Sequence, residues 1–146
     1  MSEIVIIGQL LASMVLGGAI GLVRERDKKA AGLRTHILVS VGSTLLMQLS
    51  IYMAFLYPGS DAGRIAAQVV TGIGFIGAGT IMQDKGSIRG LTTAASIWVA
   101  SAIGLAVGTG FYVAAVLATL ISLVAIELFR DFEKRFIRRP ADEEEK

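Results

Sequence analysis

Cysteine is absent from this 146-residue chain, which excludes disulfides, thiolate metal sites and cysteine catalysis. The absence does not identify a compartment, because a core embedded in lipid needs no covalent staple. Histidine occurs once, at His36, so no pair of imidazoles exists to bind zinc. No serine stands in a nucleophile-elbow pattern. Charge is also scarce: 18% of residues are Asp, Glu, Lys or Arg, against about 25% in an ordinary soluble domain. Hydrophobic residues reach 53% before the 17 glycines are counted, and the mean hydropathy is +0.66. So little polar material cannot coat a water-facing globule. An enzyme is not expected from this inventory.

The missing charges are missing in blocks. None lies within residues 4–23, 37–57, 65–83 or 90–126. A helix rises about 1.5 Å per residue, and a hydrocarbon core of about 30 Å takes roughly 20 residues to cross. The first three blocks each fit one crossing. The fourth fits two, with Gly108, Thr109 and Gly110 as an uncharged turn between them. The expected fold is therefore all-α: a polytopic bundle of five transmembrane helices near residues 4–23, 36–57, 64–83, 91–108 and 111–128. The first block does not read as a signal peptide, since its basic residues follow the apolar stretch rather than precede it.

Short-loop lysines and arginines accumulate on the cytoplasmic side. Here they alternate. The loop after the first block holds Arg24, Arg26, Lys28, Lys29 and Arg34; the next holds only Arg64 at its edge. The third holds Lys85 and Arg89, the turn at 108–110 holds none, and the tail holds Arg130, Lys134, Arg135, Arg138, Arg139 and Lys146. Five crossings with the N-terminus outside and the C-terminus in the cytoplasm place every basic loop on one side; four or six crossings break the pattern. These residues also raise the pI, so nucleic-acid binding is not expected. Residues 1–130 form the membrane domain. Residues 131–146 add an amphipathic basic segment, continuing Phe129, Phe132 and Phe136 at helical spacing along the inner leaflet, and then an acidic tail after Pro140.

Lipid offers helices no hydrophobic reason to associate; small residues and paired polar groups do that instead. Gln9, Ser13, Gly17 and Gly21 recur every four residues, as do His36, Ser40, Thr44 and Gln48, and also Ser96, Ala100, Gly104 and Gly108. Arg64, Gln68 and Thr71 share a face of the third helix. These stripes are expected to look inward, either as ordinary packing or as a polar path. The segment 72–79 holds Gly72, Gly74, Gly77 and Gly79, each weakening a helix by about 1 kcal/mol relative to alanine. Either another backbone comes close there or the helix unwinds. Gly17, Gly21, Gly104 and these four are the expected packing glycines.

Four ordered blocks then carry a resemblance. Gly21-Leu22-Val23-Arg24-Glu25-Arg26 comes first, followed by Ala31-Gly32-Leu33-Arg34-Thr35-His36. Asp61 and Arg64-Ile65-Ala66-Ala67-Gln68-Val69-Val70 lead into the glycine run, and Arg89-Gly90-Leu91-Thr92-Thr93-Ala94-Ala95-Ser96-Ile97-Trp98 closes the set. Over roughly residues 8–130 the chain resembles the MgtC/SapB family of bacterial inner-membrane proteins. The resemblance implies a five-span membrane domain and a role in growth under magnesium limitation, acid or phosphate and ATP imbalance, and in some members in survival inside host cells. It also implies action by modulating other membrane proteins, ATP synthase among them. Longer members continue into a cytoplasmic ACT-type domain, whereas this chain ends soon after Arg139 and looks like the minimal SapB-like unit.

Topology and resemblance together predict two polar clusters. Arg24, Glu25, Arg34, His36, Asp84 and Arg89 come from adjoining loops on the cytoplasmic side. Asp61, Arg64 and Gln68 form the other on the outer side. No cofactor is expected, and magnesium enters only as a ligand or cargo. A magnesium transporter or channel is the alternative function, opposed by the absence of any Asp or Glu near mid-membrane, since magnesium prefers carboxylate and water oxygens in octahedral geometry. The expected partners are the lipid bilayer, a second copy in a homodimer, and another inner-membrane protein.

Overall fold

The computed structural model describes residues 2–84 and 87–132. Side chains are described to Glu127 with the exception of Asp84, and the basic amphipathic segment from residue 133 and the acidic tail lie outside the described residues. Five helices form among them: α1 (Glu3–Arg26), α2 (Leu33–Leu56), α3 (Arg64–Ala78), α4 (Leu91–Gly108) and α5 (Tyr112–Phe132). Between α3 and α4 stands an antiparallel hairpin, β1 (Met82–Asp84) and β2 (Ser87–Arg89), with Met82 opposite Arg89 and Asp84 opposite Ser87. The 24 residues of α1 and of α2 reach about 36 Å, and the 18 of α4 about 27 Å. These three are long and apolar enough to cross a membrane; α3 and the described part of α5 are shorter apolar helices.

Chain direction follows from which side chains meet. Gln9 lies against Gln48, Gly17 against Ser40 and Gly21 against Leu33, so α1 and α2 are antiparallel. His36 meets Ser96, Ser43 meets Ser101 and Gly108 meets Met47, so α2 and α4 run the same way. Parallel neighbours need a return segment, and α3 supplies it. Helix α4 touches all four other helices and is the axis of the bundle.

The helix ends are set locally. At the α4–α5 junction the Phe111 and Gly110 amides donate to the Ala106 and Val107 carbonyls, with Gly110 at φ +83°, the left-handed closure that glycine favours. Helix α3 was expected to run to residue 83; it stops at Ala78 instead. The Thr80 hydroxyl and amide both return to the Gly77 carbonyl, and the Ile81 amide donates to Ala78, which tightens the last turn. Gly90, at φ +91°, then lies against the Thr80 carbonyl, where a side chain has no room, and the hairpin closes on α4.

Much of the interior is polar. Gln9, Ser13, Arg24, His36, Ser40, Ser43, Thr44 and Gln48 are buried, together with Thr93, Ser96, Ser101 and Thr119. The buried apolar residues form two small clusters. One gathers Ile20, Ile103, Val107 and Ala115; the other gathers Ala31, Val69, Ile73 and Ile97. Ile4, Leu22, Leu38, Phe55, Val113 and Ile121 are meanwhile more than half exposed. A water-soluble domain puts its charged and polar groups outside. Here small and polar residues join the helices, and the large aliphatic ones face out.

Candidate functional site at the hairpin end

The C-terminal end of α1, the N-terminal ends of α2 and α4 and the hairpin gather at one end of the bundle. Arg24, in the last turn of α1, is only 2% exposed. Its Nε donates to the Ala31 carbonyl at 3.2 Å, and its Nη2 donates to the Thr93 hydroxyl. One guanidinium thus ties α1 to the α1–α2 loop and to the first turn of α4. Its planar fork of donors reaches both acceptors at once, which a lysine ammonium on a flexible stem does less well.

His36, in the first turn of α2, is fully buried. Its Nδ1 lies 2.8 Å from the Gly32 carbonyl and its Nε2 3.0 Å from the Ser96 hydroxyl. A carbonyl only accepts, so Nδ1 carries a hydrogen. The Ser96 hydroxyl also lies 2.8 Å from the Thr93 carbonyl. A hydroxyl has one hydrogen, which serves the Thr93 carbonyl or the Nε2 of His36 according to the imidazole's tautomer. Arg24 and His36 therefore converge on the same turn of α4 through Thr93 and Ser96. A double-mutant cycle on His36→Ala and Ser96→Ala is expected to give a coupling energy of about 1 kcal/mol in detergent, since each single change strands a buried partner. Additive single effects contradict that coupling.

The other predicted members divide. Glu25 accepts the Leu33 amide at 3.0 Å and so caps α2 across the loop. Arg34 and Arg89 are exposed, and among the described residues neither pairs with Arg24, Glu25 or His36. Asp84 stands on β1 in register with Ser87. Arg26 forms an ion pair with Glu127, which holds the end of α1 to α5. At the opposite end Asp61 and Arg64 are both exposed; Asp61 accepts the Gly63 amide at 2.7 Å, and no carboxylate among the described residues lies within 4 Å of the Arg64 guanidinium. Gln68 is exposed as well. The α3 stripe thus faces outward, because α3 packs onto the bundle through Val69, Ile73 and Gly77.

The glycines divide in the same way. A Cβ on Gly17 meets Ser40 Cβ at 2.6 Å, one on Gly21 meets the Leu33 backbone at 2.8 Å, and one on Gly104 meets Ser43 Cβ at 2.9 Å. Gly77 is in ordinary contact with Ala94, and Gly79 touches only its own turn. Gly72 and Gly74 have nothing within 4 Å, although α3 is an unbroken helix there. Gly42 and Gly72 border an outward-opening groove of about 550 Å³ between α2 and α3, along with Leu38, Ser43, Gln68 and Ile76.

Mid-bundle, the Gln48 amide donates to Gln9 Oε1 at 2.8 Å, Ser43 and Ser101 hydroxyls meet at 2.9 Å, and the Thr44 hydroxyl reaches the Gly104 carbonyl at 2.8 Å. Thr93 and Ser101 were not singled out from the sequence, because neither falls on the four-residue stripe through Ser96 and Gly104. Among the described residues no three His, Asp or Glu side chains group to hold a metal ion.

A model of the MgtC family matches residues 10–135. The chain is 43% identical over 136 residues to a protein of Escherichia coli K12 named putative magnesium transporter YhiD, covering 90% of this chain and 63% of that one. It is 43% identical over 135 residues to protein MgtC of Salmonella typhi, covering 92% of this chain and 57% of that one. It is 44% identical over 133 residues to an uncharacterized protein of Haemophilus influenzae, covering 86% of this chain and 56% of that one. The chain thus spans about three-fifths of the length of these curated relatives. No solved structure matches it.

Proposed function

Because the chain belongs to the MgtC family, we propose that it is a five-span protein of the bacterial inner membrane that acts in adaptation to magnesium limitation, acid or phosphate and ATP imbalance by modulating other membrane proteins. All five helices cross the bilayer, with the N-terminus outside and the hairpin end in the cytoplasm. The apolar exterior supports insertion, and the basic residues at the hairpin end, Arg26, Lys28, Lys29, Arg34 and Arg89, support the orientation. The hairpin lengthens the short α3 segment toward the cytoplasmic interface.

One observation favours modulation over catalysis. The buried polar groups bond largely to one another: Arg24 with Thr93, His36 with Ser96, Ser43 with Ser101, Gln48 with Gln9. They hold helices together, and among the described residues the buried side-chain atoms left without a partner are the Ser40 hydroxyl and Gln48 Oε1. The outer surface and the hairpin end are then what other membrane proteins read, with ATP synthase a partner class that the family resemblance suggests. Deletion of the gene is expected to impair growth at limiting magnesium, with restoration by the chain and co-purification of an inner-membrane protein in mild detergent. Normal growth of the deletion strain contradicts the proposal.

A magnesium transporter is the second reading, favoured by the printed name of the E. coli relative. A path would have to carry a hydrated ion past hydroxyls and amides such as Ser40, Thr44 and Gln48, because no carboxylate is buried among the described residues. Magnesium flux into liposomes holding the purified chain, above that of empty liposomes, establishes this reading; its absence removes it.

A further inference from the structure

We infer that the groove between α2 and α3 holds the acyl chain of one outer-leaflet phospholipid, whose phosphate sits on Arg64. The inference rests on the membrane-spanning reading proposed above. The groove opens sideways, toward what that reading makes lipid. Ser43, Val69 and Ile73, all buried, make its floor, and the exposed Leu38, Leu46 and Ile76 make its rims. Gly42 stands midway along the α2 wall and Gly72 midway along the α3 wall. A Cβ on either meets nothing within 4 Å, so neither glycine serves packing inside the chain, yet each weakens its helix. Their missing side chains keep the channel open.

The dimensions fit one chain of a lipid. From Ile65 to Ile76 the α3 wall rises about 16 Å, and one leaflet of a hydrocarbon core about 30 Å thick is about 15 Å deep. The volume of about 550 Å³ falls among small-molecule sites, which hold about 300–1,000 Å³.

The polar groups gather at one end and identify the occupant. Ser43 is already bonded to Ser101, which leaves Gln68 as the polar side chain of the lining without a hydrogen bond. An unpaired amide is expensive to leave in hydrocarbon. One turn nearer the outer end, on the same face of α3, stands Arg64. It is the sole Lys or Arg within residues 35–84, and no carboxylate among the described residues lies within 4 Å of its guanidinium. Asp61 is engaged by its own loop, where it accepts the Gly63 amide. From the interface inward the order is therefore a guanidinium, an amide about 5.4 Å deeper, then apolar walls. A glycerophospholipid has the matching order of phosphate, ester carbonyls and acyl chain, and its headgroup region is about 5–7 Å deep. The guanidinium fork grips the phosphate with two parallel hydrogen bonds, and the Gln68 amide donates to an ester carbonyl.

Mass spectrometry of the intact protein, released from mild detergent, reads the occupant directly. The wild-type chain is expected to retain one phospholipid per chain. Gly42→Leu together with Gly72→Leu fills the channel and lowers the lipid-bearing fraction several-fold, while the midpoint of unfolding in SDS stays at or above the wild-type value, since leucine is the better helix former. Arg64→Ala together with Gln68→Leu also lowers the fraction several-fold, through the head rather than the chain. Both residues are exposed and neither side chain holds the fold, so this second variant reads the site even where the leucines disturb packing. A membrane-embedded wild-type chain with no more bound phospholipid than the double-leucine variant overturns the inference. So does a retained polypeptide in place of lipid, or an Arg64→Ala, Gln68→Leu variant that keeps its lipid in full. A chain absent from the membrane fraction refutes the spanning reading instead, so the two failures are told apart.

Discussion

Gly104→Val is expected to destabilise the folded protein strongly, while Gly42→Ala, on the facing helix, leaves it intact or slightly firmer. At Gly104 the backbones of α2 and α4 touch. A Cβ there presses on the Ser40 carbonyl and lies 2.9 Å from Ser43 Cβ, and backbone cannot swing aside as a side-chain tip can. The helices must part, and the bonds from Thr44 to the Gly104 carbonyl and between Ser43 and Ser101 lengthen with them. Overpacking in a tight core costs about 1–3 kcal/mol, and a backbone clash on the bundle axis belongs at the upper end or beyond it. Against a total stability of about 5–15 kcal/mol that loss is a large shift of the unfolding midpoint. Gly42 has nothing within 4 Å, so alanine adds no clash and gains up to about 1 kcal/mol of helix preference. Trp98, the sole tryptophan, stands on α4 and reports its environment during unfolding in SDS. A Gly104→Val protein with the wild-type midpoint contradicts the packing described.

Arg24→Leu gives the second large effect, on the order of 3 kcal/mol. The change strands the Ala31 carbonyl and the Thr93 hydroxyl, two acceptors at a junction of three elements. Arg24→Lys recovers part of the loss, because an ammonium reaches one of the two. Arg26 is the control. It sits two residues on, is exposed, and bonds Glu127 near the surface, so Arg26→Leu costs about 1 kcal/mol or less. The SDS midpoint, followed by Trp98 fluorescence, ranks the three variants. Arg26→Leu falling further than Arg24→Leu contradicts the ranking.

Much of this was legible in the residues because lipid is a demanding solvent. The uncharged blocks read as apolar helices wherever the helix is long, as in α1, α2 and α4. The fourfold spacing of Gln9, Ser13, Gly17 and Gly21 marks one face, and that face meets the face of Ser40 and Gln48. Three features were harder to read. The block 65–83 carries no sign that its helix ends at Ala78, because Gly77 and Gly79 look the same whether they pack or terminate. Arg24 borders an apolar block and reads as interfacial; its burial depends on Thr93, remote in sequence, which periodicity does not connect to it. The stripe of Arg64, Gln68 and Thr71 has the same form as the inward stripes, and spacing fixes that residues share a face but not which way the face points. Val69, Ile73 and Gly77 decided that.

The proposed topology requires five crossings. Single cysteines at Ser60, Thr109 and Lys29, introduced one at a time into the cysteine-free chain, are labelled in whole spheroplasts with a maleimide that cannot cross the membrane. Ser60→Cys and Thr109→Cys are expected to react at once, and Lys29→Cys only after the membrane is opened. Equal labelling of Lys29→Cys and Ser60→Cys in sealed cells, or recovery of the chain in the soluble fraction, contradicts it.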